Sequence, residues 1–193
     1  MIFPFIRARV ASLIIALGAL LGGLALLWLP AWQGLEKRGF DVLSVVTAAG
    51  TSPLPIILIS IDDASLAEIA QPWPWPRSLH ARLINKLTTA GAAVIAFDVL
   101  FALPTQADED RALAQAIAGA GNVVLAAGLV RQETPAGTLW SRQEPLAALQ
   151  AAGAQVGIVN LAFDSDLVLR RVPTDPDAFW RRILEGLRRA LPE

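Results

Sequence analysis

Three carboxylates stand where an apolar run gives way to polar chain: Asp62 and Asp63 close the run Ile56 to Ile61, and Asp98 closes Ala93 to Phe97. Ser65, Arg77 and His80 lie between the two runs. Carboxylates brought together at adjacent strand ends hold a divalent cation through oxygen ligands, so Asp62, Asp63 and Asp98 are the metal candidates. The competing reading is structural. Asp62 or Asp63 caps the turn into the helix that follows, and Arg77 and nearby helix N-termini neutralise the charge. Structural pairing is the simpler expectation.

Other chemistry is largely excluded. The chain has no cysteine and one histidine, which removes disulfides, thiol catalysis, Cys-ligated metal and any His cluster. No G-x-S-x-G elbow, Walker loop, H-E-x-x-H or dinucleotide G-x-G-x-x-G occurs. His80, at the start of a helix, reads as a polar residue on its surface. The net charge is −1 and no long basic run occurs, so no nucleic-acid partner is implied. No cofactor is expected.

The elements that would position the candidates follow from periodicity. Leu79, Leu83, Ile84 and Leu87 recur on one helical face, with Pro74 and Pro76 before it and Gly91 after it. Two buried-type runs flanking this helix read as a parallel βαβ unit, whose crossover sets both carboxylate-bearing ends on one edge of the sheet, where ligands bind in open α/β sheets. A second helix over Leu113 and Ile117 starts at Asp108, with Asp108, Glu109 and Asp110 in its first turn. Further strands are expected at Asn122 to Ala127 and Gln155 to Leu161, a helix between Gln143 and Ala152, and an exposed turn over Arg131 to Thr138. Asp164 and Asp166 suggest a turn into an edge strand carrying Arg170 and Arg171. Trp73 and Trp75, on a proline-stiffened segment, either floor a pocket, dock a neighbour or pack in the core.

The N-terminus is of another kind. Val10 to Leu35 carries no charge, and Val10 to Pro30 is almost wholly Ala, Leu, Ile, Gly and Val, about the length that spans a bilayer core of ~30 Å. Arg7 and Arg9 precede it, which puts the N-terminus in the cytoplasm, and Trp28 and Trp32 suit an interfacial belt. The expected divisions are residues 1–33 for the cytoplasmic start and anchor, 34–54 for a membrane-proximal helix and linker, 55–173 for the main domain, and 174–193 for a basic amphipathic tail. That tail either packs on the domain or lies on an anionic surface. The fold expected is α/β, a three-layer αβα arrangement with a mostly parallel sheet, preceded by one transmembrane helix.

In order, the membrane helix, LEKRGFD, ILISIDDASL, WPWPR-x-x-HA, IAFDVLF, DEDRALAQAI, GNVVL and VN-x-x-x-D-x-D-x-x-x-RRVP resemble the second class of CHASE domains, the cyclase- and histidine-kinase-associated extracellular sensors of bacteria. The resemblance covers roughly residues 35 to 173. It implies a non-catalytic sensor held in the cytoplasmic membrane through residues 10–30, on the periplasmic or extracellular side, and serving an adenylate or guanylate cyclase, a histidine kinase or a Ser/Thr kinase. The recurring family positions map to Asp41, Asp62, Asp63, Ser65, Trp73, Pro74, Pro76, Arg77, His80, Asp98, Asp110 and Arg171. The chain departs from the family pattern after Pro173, where a basic tail replaces the expected return to the membrane and no effector follows, as in a truncated or split member.

The expected function is therefore signal input. Its ligand-binding or signalling candidates are Asp62, Asp63, Ser65, Trp73, Trp75, Arg77, His80 and Asp98. The expected partners are the membrane, an unidentified small-molecule stimulus, and a second copy in a homodimer or an intact receptor. Two alternatives stand beside it: a metal-dependent hydrolase or phosphotransferase using Asp62, Asp63 and Asp98, and a non-catalytic scaffold joined to a full-length receptor through Trp73 and Trp75.

Overall fold

A computed structural model describes residues 3–26, 30–48, 50, 55–135 and 137–190, without the side chains of 3–12, 26, 30, 31 and 33. The chain divides into two compact units, residues 1–60 and 61–193.

The first unit holds helices α1 (Phe3–Leu26) and α2 (Pro30–Thr47). Leu13, Ile14, Ile15, Leu17, Leu20 and Leu21 of α1 are more than half exposed, as are Leu35, Val42, Leu43, Val45 and Val46 of α2. Among the described residues no helix is long and apolar enough to cross a membrane. Trp28, half of the expected aromatic belt, and most of the break expected between Gly50 and Pro55 lie outside the described residues.

The run Ile56 to Ile61 departs from expectation. It forms no strand, and Ile56, Ile57 and Leu58 are 74%, 84% and 87% exposed. Apolar composition alone does not make a strand; the backbone groups need a partner and a buried parallel strand needs cover on both faces. Neither is given to this run by a described sheet.

The second unit is α/β. After α3 (Asp63–Ile69) and α4 (Arg77–Thr89) come β1 (Ile95–Phe97), α5 (Ala107–Ala120), β2 (Val123–Thr134), β3 (Gly137–Gln143), α6 (Ala147–Ala151), β4 (Gln155–Ile158) and α7 (Phe179–Ala190). Strand β2 is central, parallel to β1 on one side and to β4 on the other, and antiparallel to β3 along its second half. The βαβ unit found among the described strands is thus β1–α5–β2, with Asp98 at the end of its first strand.

Strand β2 begins Val-Val-Leu-Ala-Ala because both of its faces are covered. Val123 and Leu125 join Ile95, Phe97, Phe101, Ala81, Ile84, Leu113, Ala116, Ile117 and Leu149 in one cluster beneath α4, α5 and α6. Val124 and Ala126 point the other way and are equally buried, on the face where α7 packs against β2 and β4. Contact there is at backbone range: a Cβ at Gly157 would stand 2.5 Å from Cα of Phe179, and one at Gly186 would stand 3.1 Å from Val94. The basic C-terminal helix therefore packs on the sheet.

Two local expectations are corrected. Residues 131–134 continue β2, and β3 returns along them as the second arm of a hairpin; residue 136 lies outside the described residues. Among the described residues no edge strand follows β4. Arg170, with its side chain only 8% exposed, turns back to donate to Asp164 at 2.9 Å and to both oxygens of Asp166 at 2.8 Å. Those charge-assisted bonds hold a turn in place of an extended run, and the Asp166 carboxyl lies far below its ordinary pKa for the same reason.

Candidate functional site

The sequence candidates sort into two settings. Asp62, Asp63 and Asp98 are exposed and Ser65 is half-buried. Asp62 is the N-cap of α3, its carboxylate accepting from the Ser65 amide at 2.9 Å and the Ser65 hydroxyl at 2.6 Å. The hydroxyl bond, then the amide bond, lowers its pKa. Among the described residues, no three histidine or carboxylate groups gather where they could hold a metal ion, Asp62, Asp63 and Asp98 included.

Trp75, Arg77 and His80 form the second setting, with Trp73 at its rim. Pro76 ends the WPWP segment and α4 begins at Arg77, so a proline-fixed entry points the first turn of the helix inward. The peptide bond between Trp73 and Pro74 is cis. The Arg77 guanidinium, 6% exposed, pairs through Nε with Asp110 at 2.7 Å and with the Thr105 hydroxyl at 3.2 Å, and donates from Nη2 to the Leu103 carbonyl. Its Cζ lies 5.0 Å from the centre of the Phe101 ring, within cation–π range. Nη1 is buried without a partner. Burial lowers the Arg77 pKa and Asp110 opposes that shift. The sequence reading paired Arg77 with the strand-end carboxylates; the fold pairs it with α5.

Helix α5 holds α4 at a second point. Glu109 accepts from the Ser78 amide at 2.6 Å and the Ser78 hydroxyl at 3.0 Å, which caps α4 from outside because Pro76 has no capping side chain. Asp110 also accepts from the Thr105 amide and hydroxyl. The expected N-cap role of Asp108 is not taken. Gln106 occupies that position, and the acidic first turn of α5 serves a neighbouring helix as well as its own dipole.

His80 is a buried histidine and not the surface residue expected. It is 4% exposed, with ring centres at 5.3 Å from Phe101, 5.9 Å from Phe97, 6.2 Å from Trp73 and 6.4 Å from Trp75. Burial first, then the charge of Arg77, pushes its pKa down. Of the two indoles, Trp75 is 8% exposed and donates to the Gln71 carbonyl, while Trp73 is 46% exposed and stacks edge-on against Trp75. Only Trp73 is left to meet a partner or ligand.

Sequence reasoning therefore identified Arg77 and His80 without the residues that hold them: Phe97, Phe101, Thr105, Glu109 and the Leu103 carbonyl. The pattern F-D-x-x-F, which puts Phe97 and Phe101 four apart, was the available signal. The arrangement clamps a buried guanidinium beside an aromatic-enclosed histidine.

Comparison with known proteins gives one match. A family model described as the CHASE2 domain covers residues 12–190. No curated protein and no solved structure matches the chain.

Proposed function

The chain belongs to the CHASE2 domain family, a family of sensory, non-catalytic domains, and on that footing we propose that it is the membrane-anchored signal-input domain of a bacterial receptor. In this reading the α/β unit lies on the periplasmic or extracellular side of the cytoplasmic membrane and serves a cyclase, a histidine kinase or a Ser/Thr kinase. The observation that carries the proposal is that the match coincides with an N-terminal run, Val10 to Leu35, free of charge and preceded by Arg7 and Arg9. In sequence that run continues past the end of α1 at Leu26, and the described apolar side chains of α1 are exposed, as a lipid-facing helix requires.

Within the sensor we assign the responsive element to Trp73, Trp75, Arg77 and His80. Trp73 is open to a ligand, and its ring contacts lead through Trp75 and His80 to Phe97 and Phe101 in the core. Asp62, Asp63 and Asp98 are exposed groups that a polar stimulus would meet. A stimulus acts here by binding one packing of this network more tightly than another.

The test is topological. Alkaline phosphatase fused after Glu193 is active only outside the cytoplasm, and β-galactosidase only inside. An active phosphatase fusion with an inactive β-galactosidase fusion is expected; the reverse pattern overturns the proposal.

A further inference from the structure

Two polar side chains on the first turns of α4 are buried without all the hydrogen bonds their chemistry allows. The imidazole of His80 touches the rings of Trp73, Trp75, Phe97 and Phe101, and among the described residues it has no hydrogen bond or ion pair. With its pKa lowered it is neutral at pH 7, one ring nitrogen donating and the other accepting. Three positions earlier, on the same helical face, Arg77 spends Nε and Nη2 on Asp110, Thr105 and the Leu103 carbonyl and leaves Nη1 buried and bare. Both residues stand against Phe101, His80 with its ring centre at 5.3 Å and Arg77 with Cζ at 5.0 Å from the centre of that ring. Buried donors without acceptors are costly, and two so close together call for a physical reason. The covering ring supplies one. Trp73 lies edge-on to His80, and an indole donates a hydrogen bond without accepting one. It is also the one ring around His80 that is far from buried, at 46% exposed against 8%, 7% and 4% for Trp75, Phe97 and Phe101, so it leaves its place with the least loss of burial.

We propose that the Trp73 indole is the lid of a binding site for a small planar molecule with an uncharged carbonyl group, an amide or a ketone on a flat ring, which takes the place of the indole beside His80 and accepts a hydrogen bond from its N–H. Flatness follows from the space, since what replaces an indole beside Trp75 and His80 must pack as a ring does. The acceptor follows from the bare donors, with Nη1 of Arg77 open to a second lone pair. The lack of charge follows from Asp110, which already balances Arg77 at 2.7 Å; a second anion here would be buried without a cation of its own. The inference rests on the reading of Trp73, Trp75, Arg77 and His80 as the responsive element and gives their stimulus a chemical class.

His80 is the one histidine of the chain, so histidine labelled with nitrogen-15 in its ring reports on this site alone. Full-length protein in detergent, prepared without a polyhistidine tag, is titrated at neutral pH with benzamide, benzoate and benzylamine, which share a ring and differ in the head group. Benzamide is expected to shift the His80 ring nitrogens saturably, benzoate to bind at least about tenfold more weakly, and benzylamine, which offers no acceptor, to leave them unmoved. Trp73→Ala should keep the far-ultraviolet circular dichroism of the wild type and bind benzamide severalfold more tightly, because no lid competes for the place. His80→Phe, which keeps the ring packing, should lose about tenfold or more in benzamide affinity, followed by saturation transfer to the ligand. Unmoved His80 signals, benzoate or benzylamine binding as well as benzamide, Trp73→Ala binding no more tightly than the wild type, or a folded His80→Phe binding as the wild type does, each overturns the proposal. None of these outcomes depends on topology: a failed titration leaves an active phosphatase fusion standing, and a reversed fusion pattern leaves the titration standing.

Discussion

Two stretches of this chain have nearly the same composition and opposite fates. Ile56 to Ile61 and the run ending in β1 are both short, aliphatic and closed by aspartate. The first is exposed and lies in no strand, whereas Ile95 and Phe97 of the second are 4% and 7% exposed and hydrogen-bonded beside β2. The difference lies in what surrounds them. Helices α4 and α5 cover β1 and a central strand satisfies its backbone, so the same kind of residue becomes core in one place and surface in the other. Burial is a property of the assembled neighbourhood, and composition states only which residues are fit for it.

The sharpest way to break this contrast is to truncate one side chain in each setting. Leu125→Ala, at a site with no exposure, should cost about 3–4 kcal/mol in chemical denaturation, and Leu58→Ser should change stability by no more than about 0.5 kcal/mol. Equal losses would show that the Ile56 to Ile61 run is packed after all. The second comparison is between charged groups. Arg77→Ala leaves Asp110 without its buried partner and should cost about 3 kcal/mol, while Asp98→Asn, at an exposed carboxylate, should leave the melting temperature where it is.

A smaller effect sharpens the role of His80 through pH. Its pKa is held below the ordinary value of about 6.5, so the folded protein takes up the proton less readily than the unfolded chain. The stability contributed by neutral His80 is complete above that ordinary value and is lost as pH falls through the folded one. A wild-type melting temperature that declines from pH 7 towards pH 5, with a flatter profile in His80→Leu, is the expected result; identical slopes would remove His80 from the account. The smallest effect is at α3, where Asp62→Ala should lower the melting temperature slightly and Asp62→Asn, a comparable cap, should preserve it.

These experiments also mark how far the sequence could be read. Helix α4, the stop at Gly91, the buried runs of β1, β2 and β4, and the capping of α3 by Asp62 are local matters, set by periodicity, turn residues and a side chain three positions from its acceptor. The hairpin was hidden because Arg131 to Thr138 is polar and contains Pro135, which reads as a loop unless an antiparallel partner is known. His80 was misjudged because its neighbours come from β1 and the segment after it, and helical position alone does not disclose an aromatic enclosure. Arg77 stands out in the sequence, but its partner Asp110 sits on a helix whose acidic first turn already has a sufficient local explanation.

The clasp of Ser78 by Glu109 bears on the order in which the molecule assembles. A helix led by proline, with its opening amide satisfied by a carboxylate 31 residues further along the chain, cannot finish its own beginning. Until α5 is made and docked, the first turn of α4 stays frayed, and with it the indoles and the guanidinium that this turn carries. This surface is therefore completed late, and a nascent chain ending before Glu109 would present the WPWPR segment as an open substrate for proteases.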